Sequence, residues 1–329
     1  VSDAVGEDMR PRVARMISQA YYKTDRPEEA RKWFENYSAS VADITRKDNY
    51  YLGIISYSLQ SYYAAVDAFS KVLSGGEDSL SQNACMHMAG SYLRLKNKHE
   101  ALKYYKMASE MSFDGSVREE SYFNYAKLAF DINSDITVFQ DYLELWPETQ
   151  RSDEIYSYIA ASYLLSKKYK PAIDALNNIR RLTPEMDMNL QKAAFLRGLE
   201  LYERGAYKGA DTDFRIALRH SAYNQSLAML TRFWLAETCY RAGNVDEASV
   251  LYGELCQNTR FTASREYPLA LFGLGYCYYS KGEYDAALEW FYKFLEHYHS
   301  DMDLVIEARL RVGDALFMKH EYAKAAAAY

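Results

Sequence analysis

The stretch GLGYCYYSKGEYDAALEWF, residues 273–291, decides the fold, because two incompatible structures can be read from it. Gly273 and Gly275 stand two apart with Lys281 nearby, which are ingredients of a loop that cradles a phosphate. The same residues can instead form two short helices meeting at Gly282. Repetition along the chain separates the two readings. With Ala287 as reference, Phe291 lies four residues on, while Tyr278 and Gly275 lie nine and twelve back, and this frame recurs nine times.

The nine reference residues are Ala30, Ala65, Ala101, Val138, Ala172, Ala210, Ala248, Ala287 and Ala325, spaced 35, 36, 37, 34, 38, 38, 39 and 38 apart. Four residues later come Phe34, Phe69, Tyr105, Tyr142, Leu176, Phe214, Tyr252, Phe291 and Tyr329, all large. Twelve residues earlier come Ser18, Gly53, Ala89, Ala126, Ala160, Gly198, Ala236, Gly275 and Gly313, all small. Spacings of three, four and seven put side chains on one helical face, so each unit reads as two antiparallel helices. The small residue on the first helix and the alanine on the second let the backbones approach, and the ring fills the space left. Gly205, Gly243 and Gly282 mark turns between paired helices. Pro11, Pro27, Pro171 and Pro268 fall in expected first turns, where a missing N–H costs little, and Pro147 and Pro184 fall between units. The opening stretch is therefore expected to be helix, turn and helix, with Gly275 a packing residue.

Composition agrees. Of 329 residues 49% are apolar and 26% charged, so the chain can bury a core and disorder is excluded. A net charge of −6 argues against broad binding to a phosphate backbone, which needs a basic surface. No apolar run approaches the roughly 18 residues that would cross a bilayer. Cys85, Cys239, Cys256 and Cys277 lie far apart, which fits neither a zinc spacing nor a disulfide framework. The chain starts at Val1, which reads as a processed or trimmed end.

The frame resembles the tetratricopeptide repeat, whose pattern is Leu-Gly, then Tyr, later Ala and an aromatic residue. Leu274-Gly275, Tyr278, Ala287 and Phe291 match it, as do Leu235-Ala236, Ala248 and Tyr252. The resemblance implies an all-α fold, an α-solenoid wound as a right-handed superhelix of about nine hairpins. It implies a single continuous array over residues 1–329. The expected units are 11–44, 45–80, 81–116, 117–150, 151–187, 188–225, 226–264, 265–303 and an incomplete 304–329. The fourth unit departs, with Val138 for the alanine and DINSDI at its turn, so its pair is expected to splay. From Ala172 the units lengthen, as in bacterial periplasmic and outer-membrane-associated members, and that likeness implies a periplasmic or outer-membrane-associated location, with the cytoplasm as the alternative. The array stops inside the ninth pair, so a continuation of the native chain is expected.

Residues with possible chemistry fall mostly at turns. His297, His299, Asp301 and Asp303 in HYHSDMD could be metal ligands, but the frame puts them in a connecting loop. His99-Glu100 and His320-Glu321 lack a second histidine at metalloprotease spacing. Glu120 in ESYF is similar to a transglycosylase acid, yet it begins an ordinary repeat helix. The basic clusters KNKHE, SKKYK and IRR read as solvated turns or a helix end. No catalytic residue, metal or cofactor is expected.

The remaining signal is an aromatic ladder on the first helices, at positions three residues before and four after the small residue. It comprises Tyr50 and Tyr57, Phe123 and Phe130, Phe195 and Tyr202, Phe233 and Tyr240, Phe272 and Tyr279, with Leu310 and Phe317 in the last unit. Aromatic stripes at helical spacing are usually core. The resemblance implies that these helices line a concave face, where the rings would dock a peptide or partner protein, flanked by Lys127, Glu154, Glu237 and Arg241. The lysine–asparagine pattern that clamps a C-terminal carboxylate in some members is not evident. The expected function is a non-catalytic protein-interaction scaffold, without nucleic acid and with self-association possible through the end units. The alternative is a helical support domain of an envelope enzyme whose catalytic part lies outside this chain.

Overall fold

A computed structural model describes residues 9–329; Val1 lies outside them. The described residues hold eighteen helices and no strand, and they group into two compact units, 9–152 and 153–329. The first unit contains α1 (Arg10–Lys23), α2 (Pro27–Ser38), α3 (Arg46–Ser58), α4 (Tyr62–Leu73), α5 (Ser79–Arg94), α6 (Lys98–Glu110), α7 (Gly115–Asn133) and α8 (Thr137–Leu145). From α9 (Ser152–Leu165) the second continues with α10 (Tyr169–Asn177), α11 (Pro184–Glu203), α12 (Tyr207–Arg219) and α13 (Gln225–Arg241). It ends with α14 (Val245–Gln257), α15 (Tyr267–Ser280), α16 (Tyr284–His297), α17 (Met302–Met318) and α18 (Tyr322–Ala328). In the first unit, and from α10 onward in the second, helices pack against their neighbours in sequence, and α3 with α5, α5 with α7, α11 with α13 and α13 with α15 also touch, the serial stacking of an α-solenoid.

The nine reference residues are all buried, the alanines to within 1% of full burial. Of the large residues four positions on, all but Tyr329 are buried as well. The reason for the small residues is direct. A Cβ on Gly275 would stand 2.7 Å from the Phe291 ring, and Gly53, Gly198 and Gly313 meet Phe69, Phe214 and Tyr329 in the same way. Gly273 serves a different ring, since its Cβ would lie 2.7 Å from Tyr252 of the preceding hairpin. Lys281 turns back to that hairpin too, with Nζ 2.8 Å from Asp246 and 2.8 Å from Ser249 Oγ. The opening stretch is α15, a turn and α16, and both glycines admit aromatic rings.

The turns share one geometry. Eight hairpins place a residue with positive φ five positions before the reference residue: Asp25, Gln60, Lys96, Lys167, Gly205, Gly243, Gly282 and His320. The next residue's N–H closes a 6→1 bond to the helix, as Ser61 does to Ser56 O at 2.8 Å and Glu283 to Tyr278 O at 3.0 Å. This is a Schellman ending, which satisfies carbonyls that the helix leaves without partners. In the fourth hairpin Ser134 takes that conformation only four positions before Val138, directly after the last residue of α7, and its N–H bonds back to Phe130 O. The α7–α8 pair is the most sparsely packed hairpin of its unit, and α8 is only nine residues long. Pro184 sits at the first position of α11, behind the Thr183 cap, and so belongs to a helix and not to the connection between units.

A second device lies nineteen residues before the reference position, where five hairpins carry a polar side chain that braces the following connection. Arg46 Nε donates to Val72 O at 2.6 Å and Nη2 to Gly76 O at 2.8 Å, while Nη1 pairs with Asp78 at 2.5 Å. Gln82 is fully buried; its Nε2 donates to Met111 O at 2.8 Å and to Ala108 O at 3.1 Å, and its Oε1 accepts from Asp114 N at 2.8 Å. Glu119 accepts from Tyr142 and Thr149, Asp153 accepts from the backbone of Arg180 and Arg181, and Gln191 donates to Asn224 O. Buried connections would otherwise leave backbone groups unpaired.

Candidate binding groove

The two positions of the aromatic ladder play different parts. The first packs against the large residue of its own hairpin: Tyr50–Phe69, Phe123–Tyr142, Phe195–Phe214, Phe233–Tyr252 and Phe272–Phe291 have ring centroids 5.9, 5.9, 6.0, 6.2 and 5.9 Å apart. Phe123, Phe195 and Phe233 are buried, whereas Tyr50 and Phe272 are half-buried. The second position stands against the tyrosine that opens the second helix, as in Tyr57–Tyr62, Tyr202–Tyr207 and Tyr279–Tyr284, each at 5.6 Å, and Phe317–Tyr322 at 5.2 Å. Tyr57, Phe130, Tyr202, Tyr240 and Tyr279 are half-buried and Phe317 is exposed. Phe130 instead meets Phe139, at 5.9 Å, in the altered fourth hairpin.

Four ladder residues of the second unit converge. Tyr202, Phe233, Tyr240 and Phe272 line a cavity of about 680 Å³ together with Trp234, Glu237, Arg241, Tyr252, Arg265, Glu266 and Tyr276. Trp234 closes on Tyr202 edge-on at 5.2 Å, and Tyr240 meets Tyr276 at 6.3 Å. Glu237 sits among these rings. Its Oε2 accepts from the Tyr202 hydroxyl at 3.3 Å and its Oε1 from the buried Tyr252 hydroxyl. Arg241, one turn along α13, donates to the Tyr202 oxygen. Burial, reinforced by the Glu237 charge, raises the pKa of both phenols, so they remain neutral donors. Arg265 stands exposed beside the cavity. Of the expected flanking charges, Glu237 and Arg241 are here; Lys127 lies against the Phe123 ring in the first unit, and Glu154 is in the first turn of α9.

The same register recurs in the first unit. Tyr57, Tyr62, His87 and Arg94 occupy the positions of Tyr202, Tyr207, Trp234 and Arg241, and Arg94 likewise donates to the Tyr57 hydroxyl. His87 stacks on Phe69 at 5.8 Å and meets Tyr50 and Tyr57 edge-on at 6.1 and 6.3 Å.

The other candidates are engaged structurally. Asp301 caps α17 through the N–H groups of Asp303 and Leu304, and His297 Nδ1 lies 2.8 Å from Lys293 O. Among the described residues no cluster of three or more His, Cys, Asp or Glu side chains is placed to hold a metal. Glu120 is tied to Arg151 and to Asn124. Burial pushes its pKa up, but those partners outweigh it and hold the carboxyl below its usual range, the opposite of what a glycosidase acid needs. His320 makes the turn before α18, and His99 is exposed near the start of α6. Burial lifts the Cys85 thiol to about 11 and those of Cys239, Cys256 and Cys277 to about 12, so they are poor nucleophiles at neutral pH. Among the described residues no helix is long and apolar enough to cross a membrane.

A family model described as tetratricopeptide repeat matches residues 195–255 and 259–301, the helices around this cavity. These stretches are tetratricopeptide repeats. Among the other hairpins, Gly53 and Gly313 meet rings as Gly198 and Gly275 do, whereas the fifth has Leu176 in place of a ring and the fourth has the altered turn. A comparison with curated proteins gave no match. Among solved structures, the TPR2AB domain of yeast Sti1, in a complex with pHSP90, is 11% identical. The alignment covers 82% of this chain and 99% of that one, with a TM-score of 0.45. The C-terminal part of a TPR repeat-containing protein from Cytophaga hutchinsonii is 17% identical over 78% of this chain and 98% of that one, with a TM-score of 0.35.

The cavity shows what sequence reasoning missed. Trp234 and Tyr276 lie one and four residues after ladder positions, and only the packing of neighbouring first helices brings them into one wall. Tyr252 was legible as a core ring, but its hydroxyl reaches Glu237 because Gly273 leaves room for it.

Proposed function

We propose that this protein is a non-catalytic scaffold that docks an extended peptide or a segment of a partner protein in the second-unit cavity. The observation that carries the reading is the convergence of Tyr202, Phe233, Tyr240 and Phe272 with Trp234 and Tyr276 around one half-open space. Tyrosine and tryptophan give large contact areas with few rotatable bonds, which suits peptide capture. Tetratricopeptide repeats commonly mediate protein–protein interaction, and the repeats matched here surround the cavity.

Phe233 is core, so its truncation would test folding and not docking. The informative variants are Trp234→Ala and Tyr240→Ala, both at half-buried positions. Peptides selected from a random library on the 329-residue chain should lose about tenfold or more in affinity with either variant, while helicity at 222 nm is kept. Selected peptides that bind both variants as well as the parent would refute docking at this site.

A further inference from the structure

The Glu237 carboxylate is unusual in its company. It is half-buried among aromatic rings, and the two bonds it accepts, from Tyr202 and Tyr252, come from neutral phenols. Arg241, one turn along the same helix, bonds to the Tyr202 hydroxyl and feels the Glu237 charge, but it forms no ion pair with the carboxylate. A carboxylate drawn partly out of water and left without an ion pair gains from a cationic donor. Each oxygen has accepted one bond, so each keeps a lone pair for another. Two oxygens with one open site each suit a planar fork of two N–H donors better than the single point of an ammonium. The surrounding faces fit the same group, because guanidinium planes stack on indole and phenol rings. Trp234, Tyr240, Phe272 and Tyr276 supply those faces.

We propose that this pocket takes the guanidinium of an arginine side chain carried by the docked peptide, paired with Glu237 and held between the rings. The proposal rests on the docking reading above for the rest of the peptide, but the pocket itself can be probed alone. Arg241 and Arg265 line the same space as Glu237 and Glu266, so the four formal charges cancel and Arg241 competes with the incoming group. Removing Arg241 should therefore tighten binding.

The test is a titration of the 329-residue chain with N-acetyl-arginine methylamide, read at the Trp234 indole N–H by NMR and assigned with Trp234→Phe. The citrulline counterpart, equal in shape and uncharged, is the control. Arginine is expected to shift the Trp234 signal at concentrations where citrulline does not. Glu237→Gln should weaken arginine about tenfold or more, the range for a hydrogen bond to a charged group, and Arg241→Gln should strengthen it. The inference is overturned if citrulline binds as well as arginine, or if Glu237→Gln leaves arginine binding unchanged. It is also overturned if Arg241→Gln abolishes binding, which would mean that Arg241 holds the ligand. If selected peptides bind the cavity without arginine, this inference fails and docking survives. If the arginine amide binds but no peptide is selected, docking fails and the pocket survives.

Discussion

Replacing Gly275 with alanine tests the packing rule that organises every hairpin. The new methyl group would sit 2.7 Å from Phe291 Cδ1 and Cε1 and 3.1 Å from Cζ, well inside van der Waals contact. Phe291 is fully buried, so its ring has no solvent to move into. Overpacking of this kind costs about 1–3 kcal/mol. Against it, alanine is favoured over glycine inside a helix by about 1 kcal/mol. The net is a loss of about 0–2 kcal/mol, although helix propensity alone predicts a gain. A double-mutant cycle isolates the contact: Phe291→Leu vacates the space, and the alanine should then be neutral or stabilising. The coupling between the two changes should be about 1–2 kcal/mol, within the range for touching residues. Urea unfolding of the four proteins, followed by circular dichroism at 222 nm, gives the cycle. If Gly275→Ala stabilises the parent, or if the two changes are additive, the close approach of helix and ring does not set the repeat.

Three further outcomes follow from the turns, the braces and a half-buried histidine. Lys96 holds a φ of 60°, so Lys96→Gly should stabilise by a few tenths to about 1 kcal/mol, with the thermal midpoint as readout. Gln82→Leu should cost at least about 3 kcal/mol, because it strands several buried backbone groups at about 1–3 kcal/mol each. Hydrogen exchange should then speed up at residues 111–114, where the Gln82 side chain grips the chain. Burial lowers the pKa of His87, so the fold prefers the neutral ring among Tyr50, Tyr57 and Phe69. The unfolded chain then binds the proton more readily, and stability should be full above about pH 6.5 and fall as pH drops through that value. His87→Phe should flatten this part of the pH–stability curve; an unchanged slope would refute the assignment.

Much of the fold was legible because nearly every hairpin repeats the same three demands: a small residue, an alanine and a ring, with Val138 and Leu176 the two departures. Those demands recur at fixed spacing, so their burial pattern could be read from residue size alone. The turns were only partly legible. Gly205, Gly243 and Gly282 announce a left-handed residue, but Asp25, Gln60, Lys96, Lys167 and His320 adopt the same conformation with no glycine to signal it. Tertiary packing of the paired helices imposes it on them. The braces were invisible because arginine, glutamine, glutamate and aspartate share the position, and only their common task unites them. The ladder was found, but its two rungs looked equivalent in the sequence. Their difference depends on which ring stands opposite: the hairpin's own large core residue for the first rung, and for Tyr57, Tyr202, Tyr279 and Phe317 the tyrosine opening the second helix.

The braces also bear on how these hairpins could be recombined. Gln82 belongs to α5, yet it holds the backbone from Ala108, in the last turn of α6, to Asp114 beyond its end. A chimera joined in that connection would split the clamp from the segment it grips if the two sides came from different parents. The natural seam therefore lies within the first helix, after the clamping residue, so that a transplanted module would run from one such position to just before the next. Grafts cut at the loops should assemble poorly even when every helix is kept whole.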